Sequence, residues 1–362
     1  MSKAAELAAL IGSQTALSNR NLIINGAMQV AQRGTSTASI SSGDTYPSVD
    51  RFMLRVSSAG TWTNSQSTDA PAGFSSSLKM DCTTADASLA ADDNVQIQYR
   101  FEGQDLQQLN FGSASAKSLT LSFWVKATKT GTNIVVLYQD DGNDFIAKSY
   151  TVDSADTWEY KTITFSGNTL ASITNDNTRG LIVQFFLAAG SNFQSGTLAT
   201  SWAGYVQGNE AVGQVNHADS TSNNFYITGV QLEVGETATP FEHRSYGDEL
   251  ARCQRYFYAV NEHTSTYDYP FFVASAFSTT QANGGISLPV PMRATPTNSY
   301  GNAFRFYRNS TYDDFTTLAN DGGSNLSLNF AASNTLSHTA GTSGNIQVRI
   351  PDGGYIEADA EL

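Results

Sequence analysis

Val95-Gln96-Ile97-Gln98-Tyr99-Arg100-Phe101 alternates apolar and polar side chains without a break. Successive side chains of a strand point to opposite faces. Val95, Ile97, Tyr99 and Phe101 therefore share one face, and Gln96, Gln98 and Arg100 share the other. Leu119 to Lys126 repeats the pattern, setting Leu119, Leu121, Phe123 and Val125 against Thr120, Ser122, Trp124 and Lys126. Further strands are predicted at Phe52–Val56, Asn133–Tyr138, Trp158–Phe165, Leu181–Leu187 and Asn224–Glu233. Half-buried strands separated by turns, with no helices between them, predict an antiparallel sandwich.

The composition agrees. Charged residues make up 15% of the 362, against roughly 25% in ordinary soluble proteins. Sixteen Tyr and 20 Phe supply rings for sandwich cores. A formal charge of −13 repels phosphate backbones, which argues against a nucleic-acid partner. Cys82 and Cys253 stand alone, without the spacing of a disulfide framework or a zinc site. Residues 1–20 lack the basic start and apolar run of a signal peptide. No stretch approaches the ~18 apolar residues of a membrane span. Synthesis in a cytoplasm without export is the expectation.

Along the chain, Ser2 to Ile11 reads as a short helix with Leu7, Leu10 and Ile11 on one stripe. Isolated helices under about 12–15 residues are marginal, so this one is expected either to dock on its own body, a sister subunit or another protein, or to be a frayed terminus. Residues 192–222 are rich in Gly, Ser, Thr, Ala and Asn. A connection this long is expected to be a mobile surface or a subunit contact. Tyr246, Leu250, Cys253 and Phe257 then recur at helical spacing, predicting about three turns of connector. Tyr246, Leu250 and Phe257 join Leu7, Leu10 and Ile11 as candidate attachment or oligomer contacts. The β pattern resumes at Phe271–Phe277, Ile286–Val290, Phe304–Tyr307, Leu326–Phe330, Ile346–Ile350 and Tyr355–Leu362. The predicted organisation is an N-terminal segment (1–20), a β-sandwich (21–244), a connector helix (245–260) and a second, smaller β-sandwich (261–362).

Motifs for catalysis are missing: no GxSxG elbow, no HExxH, and four scattered histidines, His217, His243, His263 and His338. No catalytic residue and no cofactor is predicted. Gln139-Asp140-Asp141-Gly142-Asn143-Asp144 fails the calcium-loop pattern, because Gly142 comes too early and no distal Glu follows. It reads first as a hairpin turn, with structural calcium at Asp140, Asp141 and Asp144 as the alternative. Trp124 shares a face with Thr120, Ser122 and Lys126, so it reads either as a sugar-stacking ring or as a ring covered by a loop or a neighbouring subunit. Gln96, Gln98 and Arg100 would complete one concave glycan-binding patch with it if the two strands are adjacent. Trp158 and Tyr160 read as core, and Arg33 and Arg51 as partners of structural carboxylates.

Several segments together resemble a family of phage tail-fibre and prophage structural proteins. They are Asn21-Leu22-Ile23-Ile24-Asn25-Gly26 through Thr35, then Asp50-Arg51-Phe52 and Leu121-Ser122-Phe123-Trp124-Val125-Lys126. Gly229-Val230-Gln231-Leu232-Glu233, Thr239-Pro240-Phe241-Glu242, Cys253-Gln254-Arg255-Tyr256 and Leu288-Pro289-Val290-Pro291-Met292-Arg293 follow in the same order. The resemblance implies a jelly roll like those of carbohydrate-binding modules, followed by a smaller β domain. It further implies a homotrimeric, non-enzymatic virion appendage that attaches to other virion proteins through its N-terminal segment and recognises a host-surface glycan or protein. The alternative in the same setting is a head fibre, decoration or tail adaptor protein with a structural role alone. A polysaccharide-cleaving enzyme is the third reading, and no parallel β-helix repeat accompanies it.

Overall fold

The computed structural model describes residues 19–259 and 269–362, except 302, 309, 317, 334, 335, 337, 338 and 350–353. The predicted N-terminal helix with Leu7, Leu10 and Ile11 lies outside the described residues. The described chain forms two units. The first comprises Thr35–Tyr246 with the residues up to Ala31 and with Leu362, and the second comprises Gly247–Glu361 with Gln32–Gly34.

In the first unit, β1 (Ser36–Thr45) pairs with β2 (Phe52–Ser67), the longest strand at 16 residues. The others are β3 (Ser77–Thr84), β4 (Asn94–Glu102), β5 (Leu119–Ala127), β6 (Gly131–Gln139), β7 (Asp144–Val152), β8 (Glu159–Phe165), β9 (Arg179–Ala189), β10 (Ala203–Gly204) and β11 (Asn224–Val234). Their order is β10-β7-β6-β9-β4-β2-β3-β11-β5-β8, and every pairing is antiparallel.

The first half of β2 pairs with β4 and the second half with β3. Between them Ser58 and Gly60 both take positive φ, +54° and +74°. That backbone region suits glycine and breaks a strand's course. A Cβ on Gly60 would strike the Thr84 carbonyl oxygen. The bend folds the array into two layers, β10-β7-β6-β9-β4-β2 and β2-β3-β11-β5-β8. Trp62, fully buried, donates its indole N–H to the Ala59 carbonyl at 2.8 Å and so ties the bend to the core.

Alternation supplies that core. Val95, Ile97 and Tyr99 of β4 face Leu121, Phe123 and Val125 of β5 in one apolar cluster. The Phe123 ring meets Tyr150 of β7 and Phe185 of β9 edge-on, each at 5.1 Å. The opening segment caps the seam. Asn21 accepts from the Ile23 and Leu232 amides, and Asn25 binds both backbone groups of Val30 and the Asp50 carbonyl.

In the second unit, α1 (Tyr246–Gln254) leads into β12 (Phe257–Ala259). There follow β13 (Tyr269–Ala276), β14 (Gln281–Ser287), β15 (Thr297–Tyr300), β16 (Phe304–Arg308), β17 (Thr311–Phe315), β18 (Leu318–Ser324), β19 (Ser327–Ser333), β20 (Ser343–Val348) and β21 (Ile356–Asp359). A three-stranded sheet, β12-β21-β15, and a seven-stranded sheet, β17-β16-β20-β13-β14-β19-β18, share a core that includes Phe272, Phe304, Phe306 and Phe330.

The helix is shorter than the predicted three turns. It stops at Gln254 because Phe257 is drawn into pairing with Asp359, while the Arg33 guanidinium stacks 3.6 Å over its ring. Arg33 also pairs with Asp359 at 3.0 Å and Glu361 at 3.4 Å. Phe257 is thus an internal residue and not the outward contact expected of it. Leu250 is half-buried and Tyr246 is exposed.

The bend in β2 is sensitive to substitution because Trp62 is fully buried and bonded across it. Trp62→Ala is expected to cost about 3–5 kcal/mol in chemical denaturation. Trp62→Phe keeps most of the packing, loses the bond to Ala59, and is expected to cost roughly 1 kcal/mol. A Trp62→Phe variant as stable as wild type would show that the bond contributes nothing.

Candidate functional site

The outer face of β4 is polar from end to end. Gln96 donates to Asn94 at 3.3 Å, Gln98 donates to Gln96 at 2.6 Å, and Arg100 donates to Gln98 at 3.1 Å. The chain of bonds continues from Arg100 to Asp44 at 3.1 Å, and Asp44 also holds Arg55 by two bonds of 2.7 and 2.8 Å. These bonds with Arg55, and with Arg100 beyond it, hold the Asp44 carboxyl below its ordinary range. Strand register sets Gln96 beside Arg55 of β2, and Gln98 beside Gln184 of β9.

Residues 192–222, expected to be a mobile surface or a subunit contact, fold onto the outer face of β6, β7 and β9 of their own unit. Phe193, Tyr205 and Ala211 pack there with Val136, Phe145 and Phe186 in a second apolar cluster. The reason is local: β7 and β9 carry apolar side chains on both faces, and the outer ones need a cover. The cover stops short of β4 and leaves a cleft of about 260 Å³. Gln96, Gln98 and Gln184 line it beside Tyr138, Tyr205 and Glu210.

Two polar atoms of the cleft have no hydrogen-bond partner in the protein, the Gln184 Oε1 acceptor and the Arg179 Nε donor. Gln184 is only 5% exposed, so its amide oxygen carries an unoffset desolvation cost until something donates to it. Arg179 is otherwise engaged with Asp140 at 2.7 Å. Burial raises Glu210 to about 7, against the opposing pull of a 2.9 Å hydrogen bond from the Tyr205 hydroxyl and of Arg55. The cleft therefore offers amide donors and acceptors, a guanidinium N–H, a carboxyl that is protonated below about pH 7, and ring edges.

Of the residues singled out from sequence, Gln96 and Gln98 line this cleft. Arg100 is next along β4 and is tied to Asp44, Gln98 and the Leu362 carbonyl. Trp124 is not brought to them. β5 lies four strands from β4, in the other layer, and Trp124 points from that layer's own outer face. A single concave patch of all four residues therefore does not form. Trp158 and Tyr160 also lie on this outer face and not in the core: Trp158 donates to Asp69 at 3.1 Å, and Tyr160 is 46% exposed.

Asp140, Asp141 and Asp144 belong to the tight connection between β6 and β7, with Asn143 at φ +52°. Each is engaged separately. Asp140 binds Arg179, Asp141 accepts from the Thr174 amide and hydroxyl, and Asp144 accepts from Asn168. Among the described residues, no group of three or more acids, histidines or cysteines is placed to hold a metal.

Gln184, Arg179, Tyr205 and Glu210 were not anticipated. One polar residue inside Leu181-Ile182-Val183-Gln184-Phe185-Phe186-Leu187 was a usable signal for the first. Tyr205 and Glu210 sit in a low-complexity stretch that gave none.

No protein-family model and no curated protein sequence matches the chain. Solved structures overlay part of it. One is the enzymatically active domain of tailspike protein 4 of bacteriophage CBA120, at 13% identity and TM-score 0.30, covering 59% of this chain and 21% of that one. The chain thus spans about a fifth of the tailspike structure. Another is a structure described as a family 4 carbohydrate-binding module, at 15% identity and TM-score 0.30, covering 58% and 97%. A third is the C-terminal family 22 carbohydrate-binding module of Clostridium thermocellum Xyn10B, at 13% identity and TM-score 0.29, covering 62% and 98%. Overlaps this loose carry no argument about function.

The segment over the cleft carries two titrations of opposite sign. Glu210, raised from 4.5 to about 7, gives stability that is full below pH 4.5 and is lost as pH rises through 7. His217 is lowered from 6.5 to about 4, by burial first and then by Lys129, against the opposing pull of Asp219. Its contribution is full above pH 6.5 and is lost as pH falls towards 4. Between pH 4.5 and 6.5 the two slopes oppose. Glu210→Gln should therefore gain stability relative to wild type as pH rises across that window, by about 1 kcal/mol per pH unit. His217→Gln should change in the opposite direction. Denaturant midpoints measured across pH test this, and parallel curves for all three proteins would refute it.

Proposed function

We propose that the protein is a non-enzymatic subunit of a bacteriophage appendage that binds a surface glycan through the cleft beside β4. The observation that carries the binding reading is the unpartnered Gln184 acceptor, set by strand register beside Gln98 in a connected row of amides. Sugars present dense hydroxyl donors and acceptors, and buried amides that already brace one another are oriented to meet them without reorganising. Three glutamines, an arginine N–H and the Glu210 carboxyl converge on a space suited to one or two sugar rings, with Tyr138 and Tyr205 beside it.

Binding without cleavage is the reading because glycoside hydrolysis uses two carboxyls facing each other across the scissile bond. Glu210 is the one acid lining the cleft, and Tyr205 already bonds it. The phage setting and a trimeric assembly rest on the ordered sequence segments from Asn21 to Arg293. Several of these do structural work here, as Asn21 and Asn25 do at the seam. Weak sites repeated on one appendage would gain by avidity.

The test is binding of the purified chain to capsule and lipopolysaccharide preparations, with Gln184→Ala as the variant. The expected result is saturable binding that Gln184→Ala weakens about tenfold, while its unfolding midpoint stays level or rises, since an unsatisfied buried acceptor has been removed. Absence of binding, or equal binding by the variant, would remove the reading of the cleft. Release of soluble reducing sugar would remove the non-enzymatic part.

A further inference from the structure

The first unit carries a second cavity on the opposite outer face, a groove of about 770 Å³ over β5 and β8. Trp124 and Tyr160 lie side by side along it, ring centroids 5.3 Å apart and planes at 50°. The facing wall is a cluster of three rings. Phe74 meets Phe241 at 5.0 Å and His243 at 5.3 Å, and Phe241 meets His243 at 4.9 Å.

Gly229 keeps the space between these rings open. It sits at φ +61°, within the register shift of β11 between Thr228 and Gln231. A Cβ there would come within 2.7 Å of Phe74 Cζ and 3.1 Å of Trp124 Cδ1. Any larger residue would strain the backbone and push a ring aside.

The wall is held in place by bonds unrelated to its rings. The Thr239 amide donates to Glu233 at 3.0 Å, Gln231 donates to the Thr239 carbonyl at 3.2 Å, and the Glu242 amide donates to Gln231 at 2.8 Å. Glu242 in turn accepts from the Asn19 and Asn21 amides at 2.7 and 2.9 Å. A groove fixed this firmly requires little ordering when it is filled.

The lining decides the ligand class. No Asp, Glu, Lys or Arg lines the groove, so it complements an uncharged molecule. Its rings are rimmed by the Thr162 and Thr237 hydroxyls and the His243 imidazole. An alkyl chain would match the rings and leave these polar groups desolvated without partners. A pyranose matches both, since it has a C–H face to lie on a ring and hydroxyls around its edge. We propose that this groove is a second glycan site, which takes an uncharged pyranose chain stacked on Trp124 and Tyr160. It shares no residue with the cleft beside β4, so the two stand or fall separately.

The test uses the full chain and neutral hexasaccharides of glucose, mannose, galactose and xylose, followed by calorimetry and saturation-transfer NMR. At least one probe is expected to bind wild type and Gln98→Ala alike, while Tyr160→Ala binds it at least tenfold more weakly. Tyr160 is exposed enough to be truncated without loss of fold, and an unchanged thermal unfolding midpoint would verify this. Trp124→Ala is expected to weaken binding further, and binding should quench indole emission in wild type. No saturable binding of any probe overturns the proposal. So does binding that Tyr160→Ala and Trp124→Ala both leave unchanged, including binding that only Gln98→Ala abolishes.

Discussion

One strand belongs to both layers of the first unit, and the bend that permits this sets the rest. Because β2 turns at Ser58–Gly60, its two halves present inward residues to the same core from different directions. Trp62 lies directly after the turn and bonds back to Ala59, so the largest side chain of the core also fixes the angle between the layers. If the bend opened, Phe123 would lose Tyr150 and Phe185, which it meets only because β5 is folded over β7 and β9. Both outer faces inherit their curvature and separation from this hinge.

The outer faces are treated differently, and that difference makes two cavities of different chemistry. Over β6, β7 and β9 the exterior residues are apolar, so a long segment is recruited to cover them. Its edge meets the amides of β4 and encloses a polar cleft. Over β5 and β8 the cover is the strap from Thr237 to His243 with Phe74 beside it, and rings are left facing open space. The amide row beside β4 is self-bonded, which makes its burial tolerable, since each glutamine offsets most of its neighbour's desolvation. Gln184 stands outside that arrangement, and its unpaired oxygen is where the cleft is incomplete.

Much of the framework was legible from alternation. β4, β5, β6, β8, β9 and β11 all appear where the two-residue period put them, with ends moved by a few residues. β7 escaped notice because Phe145 and Ile146 are buried on opposite faces, so its pattern never alternates cleanly. β3 was missed although Leu78, Met80 and Cys82 alternate with Lys79 and Asp81 along it. Phe257 had a helical spacing that tertiary pairing overrode. For the site, alternation gave the polar face of β4 but not what lies opposite it. The separation of Trp124 from Gln98 is a matter of strand order, which no local pattern encodes.

The low-complexity segment that sequence could not interpret has the most consequential chemistry. Its small residues let the backbone lie close over β6, β7 and β9, and close packing excludes water from the few polar side chains it carries. Exclusion of water is what raises Glu210 and lowers His217, since both shifts oppose the charged form. The same segment therefore closes the cleft, keeps its one acid protonated below neutrality, and holds a neutral imidazole against Asn133 at 2.7 Å. A chain with a formal charge of −13 is rich in carboxylates, which when ionised accept hydrogen bonds and never donate them. Burial of Glu210, against the opposing pull of Arg55 and Tyr205, gives the cleft an additional donor below about pH 7 and removes a charge.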